Sequence, residues 1–268
     1  MKKFLKKYKK FLITPIILIS SIVLMFASGE FEHLKEQFFP NDSINEEIPV
    51  GNFTNNEEST INNNTNKKAE VINNFETSGL KDYVSGMEKV IIINNNISGF
   101  DNGDLNDVWY TFSPLDNYGR PQEANAVLDQ SLYRSSKDRP RINVNPPGWH
   151  NKKVKSDGSF VDLYNRSHLI AYTFINDEID IETNLITGTS EFNQSTSIGM
   201  QYVENLVRDK IKSGHTVRYS VKPIYKYDEL VAHGVQMRYY SSDGDELNVF
   251  IYNVLDDVEI DYSTGYTK

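Results

Sequence analysis

The stretch "SIGMQYVENLVRDKIKSGHTVRYSVKPIY", residues 197–225, changes its hydrophobic rhythm halfway. In the first half Val203, Leu206, Val207 and Ile211 recur at helical spacing. Lys210 and Lys212 fall in the last turn, where cations complement the helix dipole, and Gly214 offers a left-handed stop. From His215 onward apolar and polar residues alternate, the period of a strand. Downstream, "VQMRYYSSDGDELNVFIYNV" reads as two strands around a Ser-Asp-Gly turn, and "EIDYSTGY" closes with another turn.

Upstream, "VIIINNNISGF" (Val90 to Phe100) reads as a strand and turn, and "DVWYTFSPLD" as a second strand and a loop. "NYGRPQEANAVLD", Asn117 to Asp129, is polar and then turns helix-like or loops. "RPRINVNPPGWHN" is an irregular connection punctuated by Pro146, Pro147 and Gly148. Strands flank a helix in mixed order, so the expected class is α+β with an antiparallel or mixed sheet, not a doubly wound parallel one.

Three segments are expected. Residues 1–29 carry six lysines before an apolar run from Phe11 to Ala27, a pattern of export: a signal peptide or a membrane anchor. Residues 30–78 are rich in Asn, Glu, Ser and Thr and too poor in aliphatics to offset chain entropy, which suits a disordered spacer. Residues 79–268 form the folded domain. These features place the protein outside the cell, secreted or held at the membrane by its N-terminal segment. The chain has no cysteine, so disulfides, thiolate metal sites and a cysteine nucleophile are excluded.

The net charge of −9 argues against a basic nucleic-acid coat protein but not against a local basic groove. Between Arg134 and Arg166 lie Lys137, Arg139, Arg141, Lys152, Lys153 and Lys155, against Asp138, Asp157 and Asp162. Taken alone, such a run is a solvated face.

Among the five histidines, His168 in "YNRSHLIAY" stands out for its company. Arg166 precedes it, Asn184 and Asn193 follow, and Glu204 and Arg208 share a helix face. Read by spacing alone, the last two are an ordinary helical salt bridge. Together the set has the parts that phosphodiester hydrolysis needs: a histidine to take a proton from water, arginines for phosphate oxygens, and an asparagine carbonyl for a hydrated Mg²⁺.

The blocks "YNRSHLIAY", "NLITGTSEFNQ", "GMQYVENLV", "VRYSVKPIY", "NVFIYNV" and "IDYSTG" resemble the DNA/RNA non-specific endonucleases, in particular exported streptococcal-type DNases with a ββα-metal (His-Me finger) site. The resemblance spans roughly Asn117 to Gly265. It implies a ββα-metal nuclease core and little sequence preference on DNA, with RNA as a second substrate. It further implies Mg²⁺ (Mn²⁺ as a substitute) and 5′-phosphate ends. His168 takes the place of the family's general base, Asn193 of its metal ligand, and Glu204 of the glutamate that orders the metal's waters. Arg208 takes that of an arginine stabilising phosphate charge, Arg166 that of the signature arginine, and Asn184 that of a supporting asparagine. Arg120 lies in a matching block and is expected to touch substrate. Arg134, Arg139, Arg141, Lys152, Lys153 and Lys155 are expected to line the groove for the phosphate backbone. The signature Asp-Arg-Gly-His reads "NRSH" here, with Asn165 for the aspartate and Ser167 for the glycine. The alternative reading is a nucleic-acid-binding surface protein without catalysis. Nothing in the sequence identifies a protein inhibitor.

Overall fold

The structure is a computed structural model that describes residues 80–268 apart from 137, 138 and 140. The expected N-terminal export segment and the whole of the expected spacer lie outside the described residues. Among the described residues, no helix is long and apolar enough to cross a membrane.

Among the described residues, ten strands and two α-helices follow one another. They are β1 (Val90–Ile92), β2 (Trp109–Phe112), β3 (Ala124–Leu128), β4 (Lys153–Ser156), β5 (Ser159–Asp162), β6 (Tyr164–His168) and β7 (Leu185–Thr189). Then come α1 (Ser190–Gln194), α2 (Met200–Lys212), β8 (Val217–Ile224), β9 (Gly234–Ser241) and β10 (Glu246–Tyr252). Six strands make one sheet in the order β1-β10-β9-β8-β3-β2, and β4-β5 and β6-β7 are separate two-stranded ribbons. Every pairing is antiparallel.

The register explains the core. Ala126 lies opposite Tyr219, Tyr219 opposite Tyr239, and Tyr239 opposite Leu247. Val221, Met237 and Val249 form the next row. Period-two alternation puts these residues on one face, where all are buried. Helix α2 covers that face with Met200, Val203, Val207 and Ile211, as its spacing predicts. Its chain leaves through Gly214 at φ +88°.

One sequence expectation changes. The Asn117–Asp129 segment is neither helix nor loop throughout, because Ala124–Leu128 enters the sheet between β2 and β8. Four of its five residues are buried, so no clean alternation betrays the strand. The polar "YNRSH" is also a strand. It pairs along its whole length with β7, and β7 runs straight into α1, giving the ββα unit.

The apolar run after His168 also finds its reason. Leu169, Ile170, Phe174, Ile175 and Ile179 all join the main hydrophobic cluster beside the sheet and α2. The loop that follows the histidine is therefore a wall of the core.

Candidate active site

His168 ends β6, and its side chain is 6% exposed. Two charged groups hold the ring. Asp180 Oδ1 stands 2.6 Å from Nε2, and Arg139 Nη2 stands 3.0 Å from Nδ1. The same Nη2 lies 3.4 Å from Nε2, so the guanidinium sits over the ring, and it is the carboxylate that selects the tautomer with its proton on Nε2. Burial, then the Arg139 charge, push the imidazole down to about 4, against the opposing pull of Asp180; Arg134 adds to the depression. At neutral pH the ring is uncharged and has a lone pair to offer.

Asn184 fixes this arrangement. It is fully buried, and its amide is committed to backbone: Ile170 N–H donates to Oδ1 at 2.9 Å, and Nδ2 donates to Ile170 O at 3.2 Å and Ile179 O at 3.0 Å. These carbonyls lie just beyond His168 and just before Asp180. Asn184 thus ties together the chain segments that carry the two side chains, from inside the wall of the site.

Asn193 lies on the short helix α1, not at the start of the longer α2. Thr189 caps α1 by accepting from Phe192 N–H, and its hydroxyl donates to Val254 O at 2.6 Å. Asn253 completes the anchor: its Oδ1 accepts from Thr189 N–H at 2.8 Å, and its Nδ2 donates to Thr187 O and Ala232 O. Gly199 then lets α2 begin against the end of α1, since a Cβ there would meet Phe192 O at 2.6 Å and Glu191 O at 2.7 Å. The Asn193 amide makes no hydrogen bond among the described residues, and it is partly exposed.

Glu204 on α2 is likewise without a hydrogen bond or ion pair among the described residues. The expected salt bridge to Arg208 is absent; Arg208 Nη1 donates to Asn205 Oδ1 instead. Crowding by the surrounding protein raises the Glu204 carboxyl to about 7, against the charges of Arg208 and Arg139. Arg139 therefore acts on both His168 and Glu204, which places the three in one electrostatic neighbourhood.

The remaining basic residues divide. Arg134 and Arg139 both lie over the Tyr172 ring, at 3.5 and 4.9 Å. Arg141 and Lys155 are exposed and without a side-chain partner among the described residues. Lys152 donates to Thr267 Oγ1, and Lys153 pairs with Asp162 at 2.9 Å. Arg166 turns toward the preceding loop: Nε donates to Val144 O, Nη2 to Asn145 Oδ1, and the guanidinium stacks on Trp149.

Arg120 departs from expectation. It is buried, paired with Asp116 at 2.7 Å, bonded to the carbonyls of Tyr227 and Glu229, and stacked on Tyr118 and Tyr225. It holds two loops together and has no free face for substrate.

The two signature departures have structural counterparts. Asn165 and Ser167 alternate away from Arg166 and His168 along β6, so the missing aspartate charge lies on the other side of the ribbon. The Asn165 Nδ2 is buried without a partner among the described residues. Ser167 fits because its neighbour strand carries Gly188; a Cβ on Gly188 would stand 2.2 Å from Ser167 Oγ.

Sequence reasoning missed Asp180, Tyr172 and Asn253. Asp180 is one acid among several in "FINDEIDIETN", and only the folded loop brings it to the histidine.

Known proteins share the sequence pattern and the fold. The sequence model of the DNA/RNA non-specific endonuclease family matches residues 103–243. NucA from Streptococcus agalactiae, in a crystal structure with magnesium ion bound, is 30% identical with a TM-score of 0.61, over 67% of this chain and 86% of that one. The same nuclease with no metal bound matches over 75% and 94%, at the same identity and score. The Sda1 nuclease with bound zinc ion shares the fold at 24% identity and a TM-score of 0.56, over 68% of this chain and 96% of that one. No match is found among curated proteins. The family model spans more than half of the chain and NucA shares its fold: this chain belongs to the DNA/RNA non-specific endonuclease family and is a nuclease.

Proposed function

We propose that the protein is an exported nuclease that hydrolyses phosphodiester bonds of DNA and RNA with a divalent metal ion and little sequence preference. The observation that carries this reading is the state of His168: buried, neutral, and held at Nε2 so that Nδ1 is the basic nitrogen. Nδ1 takes a proton from the water that attacks phosphorus, and the 3′ oxygen leaves in line.

The residues present fit a hard, hydrated ion. Among the described residues there is no cluster of three His, Asp or Glu side chains that could cage a metal. There are instead two free oxygen donors, the Asn193 amide and the Glu204 carboxylate. Mg²⁺ is bound in this way, by few protein ligands and several waters. Asn193 would hold the ion, and Glu204 would accept from its waters. When bound, the ion supplies Lewis-acid stabilisation of the charge that builds on the phosphate and the leaving oxygen. NucA is crystallised with magnesium and Sda1 with zinc, which supports a divalent ion here; Mn²⁺ would serve as a substitute.

Arg208 and Arg139, whose charges both act on Glu204, would meet phosphate oxygens. Arg134, Arg141, Lys152, Lys153 and Lys155 would follow the backbone away from the cleavage point, where contacts carry no base preference. The lysine-rich start of the chain and its apolar run support export or membrane attachment.

The test is plasmid degradation by the protein with Mg²⁺ and with EDTA, beside His168→Ala and Asn193→Ala. Metal-dependent cleavage lost in both variants is the expected result. A folded wild-type protein inert with Mg²⁺, Mn²⁺ and Zn²⁺ across pH 5–9 would overturn the reading.

A further inference from the structure

We infer that Asp180 is a positioning residue of the nuclease centre: by accepting a hydrogen bond from Nε2–H of His168 it fixes the imidazole tautomer and turns Nδ1 toward the substrate. The inference rests on the nuclease reading and adds a residue to it. Three observations carry it.

The first is contact. Asp180 Oδ1 lies 2.6 Å from Nε2, and both side chains are shielded, at 10% and 6% exposure. A carboxylate so placed can only accept, so it selects the Nε2–H form. The second is the setting of the opposite nitrogen. Arg139 Nη2 lies 3.0 Å from Nδ1 and 3.4 Å from Nε2, over the ring, and its positive charge disfavours a second proton there, so with Nε2–H held by Asp180 the Nδ1 lone pair stays free. The Arg139 side chain is exposed, so a phosphate can draw the guanidinium away. The third is support. Asn184 binds Ile170 and Ile179 from the core side, next to His168 and Asp180, so the pair is held by chain that cannot shift without exposing apolar side chains.

The charged groups around the ring are Asp180, Arg139 and Arg134, with the Tyr172 ring carrying both arginines. Asp180 is the only anion among them.

The chain has five histidines, so the ¹⁵N-histidine-labelled full-length protein gives a spectrum in which His168 is assigned by its loss in His168→Ala. At pH 7 the wild-type signal should show a protonated Nε2 and an unprotonated Nδ1. In Asp180→Asn, whose amide can donate as well as accept, the signal should move toward a mixture of tautomers. The same variant should lose about 10- to 100-fold in kcat at an unchanged KM for oligonucleotide, the range seen when an orienting partner is removed. Asp180→Glu, which keeps the carboxylate, should recover part of the loss. An Nδ1–H tautomer in the wild type would overturn the inference. So would an Asp180→Asn protein with unchanged spectrum and kcat, or a loss confined to KM. A wild-type protein with the expected tautomer but no hydrolysis would overturn the nuclease reading, and with it the catalytic consequence of the pairing; the spectrum keeps the two failures apart.

Discussion

Asn184 and Asn193 stand close in sequence and are chemically identical, yet their removal should affect stability very differently. Asn184 is fully buried, and its amide serves three backbone groups: Ile170 N–H, Ile170 O and Ile179 O. Asn184→Ala strips a partner from each. A net hydrogen bond is worth about 1 kcal/mol, and a buried polar group left unpaired costs about 1–3 kcal/mol. Three such groups give about 3 kcal/mol as a lower figure. For a domain of this size that is a fall of roughly 6–12 °C in Tm. Activity should also fall, because the same bonds hold the chain on either side of the His168–Asp180 pair. Asn193→Ala removes an amide with no hydrogen-bond partner among the described residues, on a partly exposed helix face. Its Tm without metal should lie within about 0.5 kcal/mol of wild type, the usual surface range, while cleavage is abolished. Thermal denaturation by circular dichroism in EDTA, beside plasmid cleavage in Mg²⁺, reads both. An Asn184→Ala protein destabilised by less than about 1 kcal/mol would refute the argument from hydrogen-bond geometry.

Other consequences follow from the same site. Arg139 lowers the His168 pKa, so Arg139→Ala should raise it; the acid limb of the pH–rate profile then moves to higher pH, and a limb that stays or moves down contradicts the electrostatics. The Glu204 carboxyl is raised to about 7 by burial, so the folded state binds an extra proton between its unfolded value and 7 and loses stability as pH rises through that window. Glu204→Gln should therefore melt above wild type at pH 8 in EDTA, show no gain below pH 4, and lose the Mg²⁺-induced rise in Tm. Gly188→Ala should destabilise strongly because its Cβ meets Ser167 Oγ at 2.2 Å and Phe192 Cδ1 at 2.7 Å; adding Ser167→Gly should restore only part, since the Phe192 contact remains. Lys155→Ala, if the β4–β5 ribbon follows a phosphate backbone, should weaken binding evenly across sequences and reduce the slope of log K against log salt by about 1 in catalytically inactive protein.

What the sequence revealed depended on how each segment is buried. Helix α2 shows one apolar stripe to the sheet, and β8 to β10 show one apolar face, so periodicity exposed both. Strand β3 is buried almost throughout and short, leaving little alternation to read. Strand β6 is polar in sequence because its side chains serve the site and its ribbon partner, and only the pairing with β7 defines it. In the site, His168 and Asn193 were visible through the resemblance of their surrounding blocks. Arg120 sat in an equally similar block, yet its task is to clasp Asp116 and two carbonyls. Similarity marks a residue as needed and does not say for what. Asp180 and Asn253 carry no local pattern, since each acts on chain far from it in sequence or across a loop.

The loop after His168 contributes six buried side chains to the central hydrophobic cluster. His168 therefore has no private opening reaction: to release it, the protein must expose Leu169, Ile170 and Phe174 and so begin to unfold as a whole. Hydrogen exchange at these amides would then follow the global free energy, and heat inactivation would coincide with melting. A chain without a single disulfide thus protects its reactive histidine by making it part of the last region to come apart.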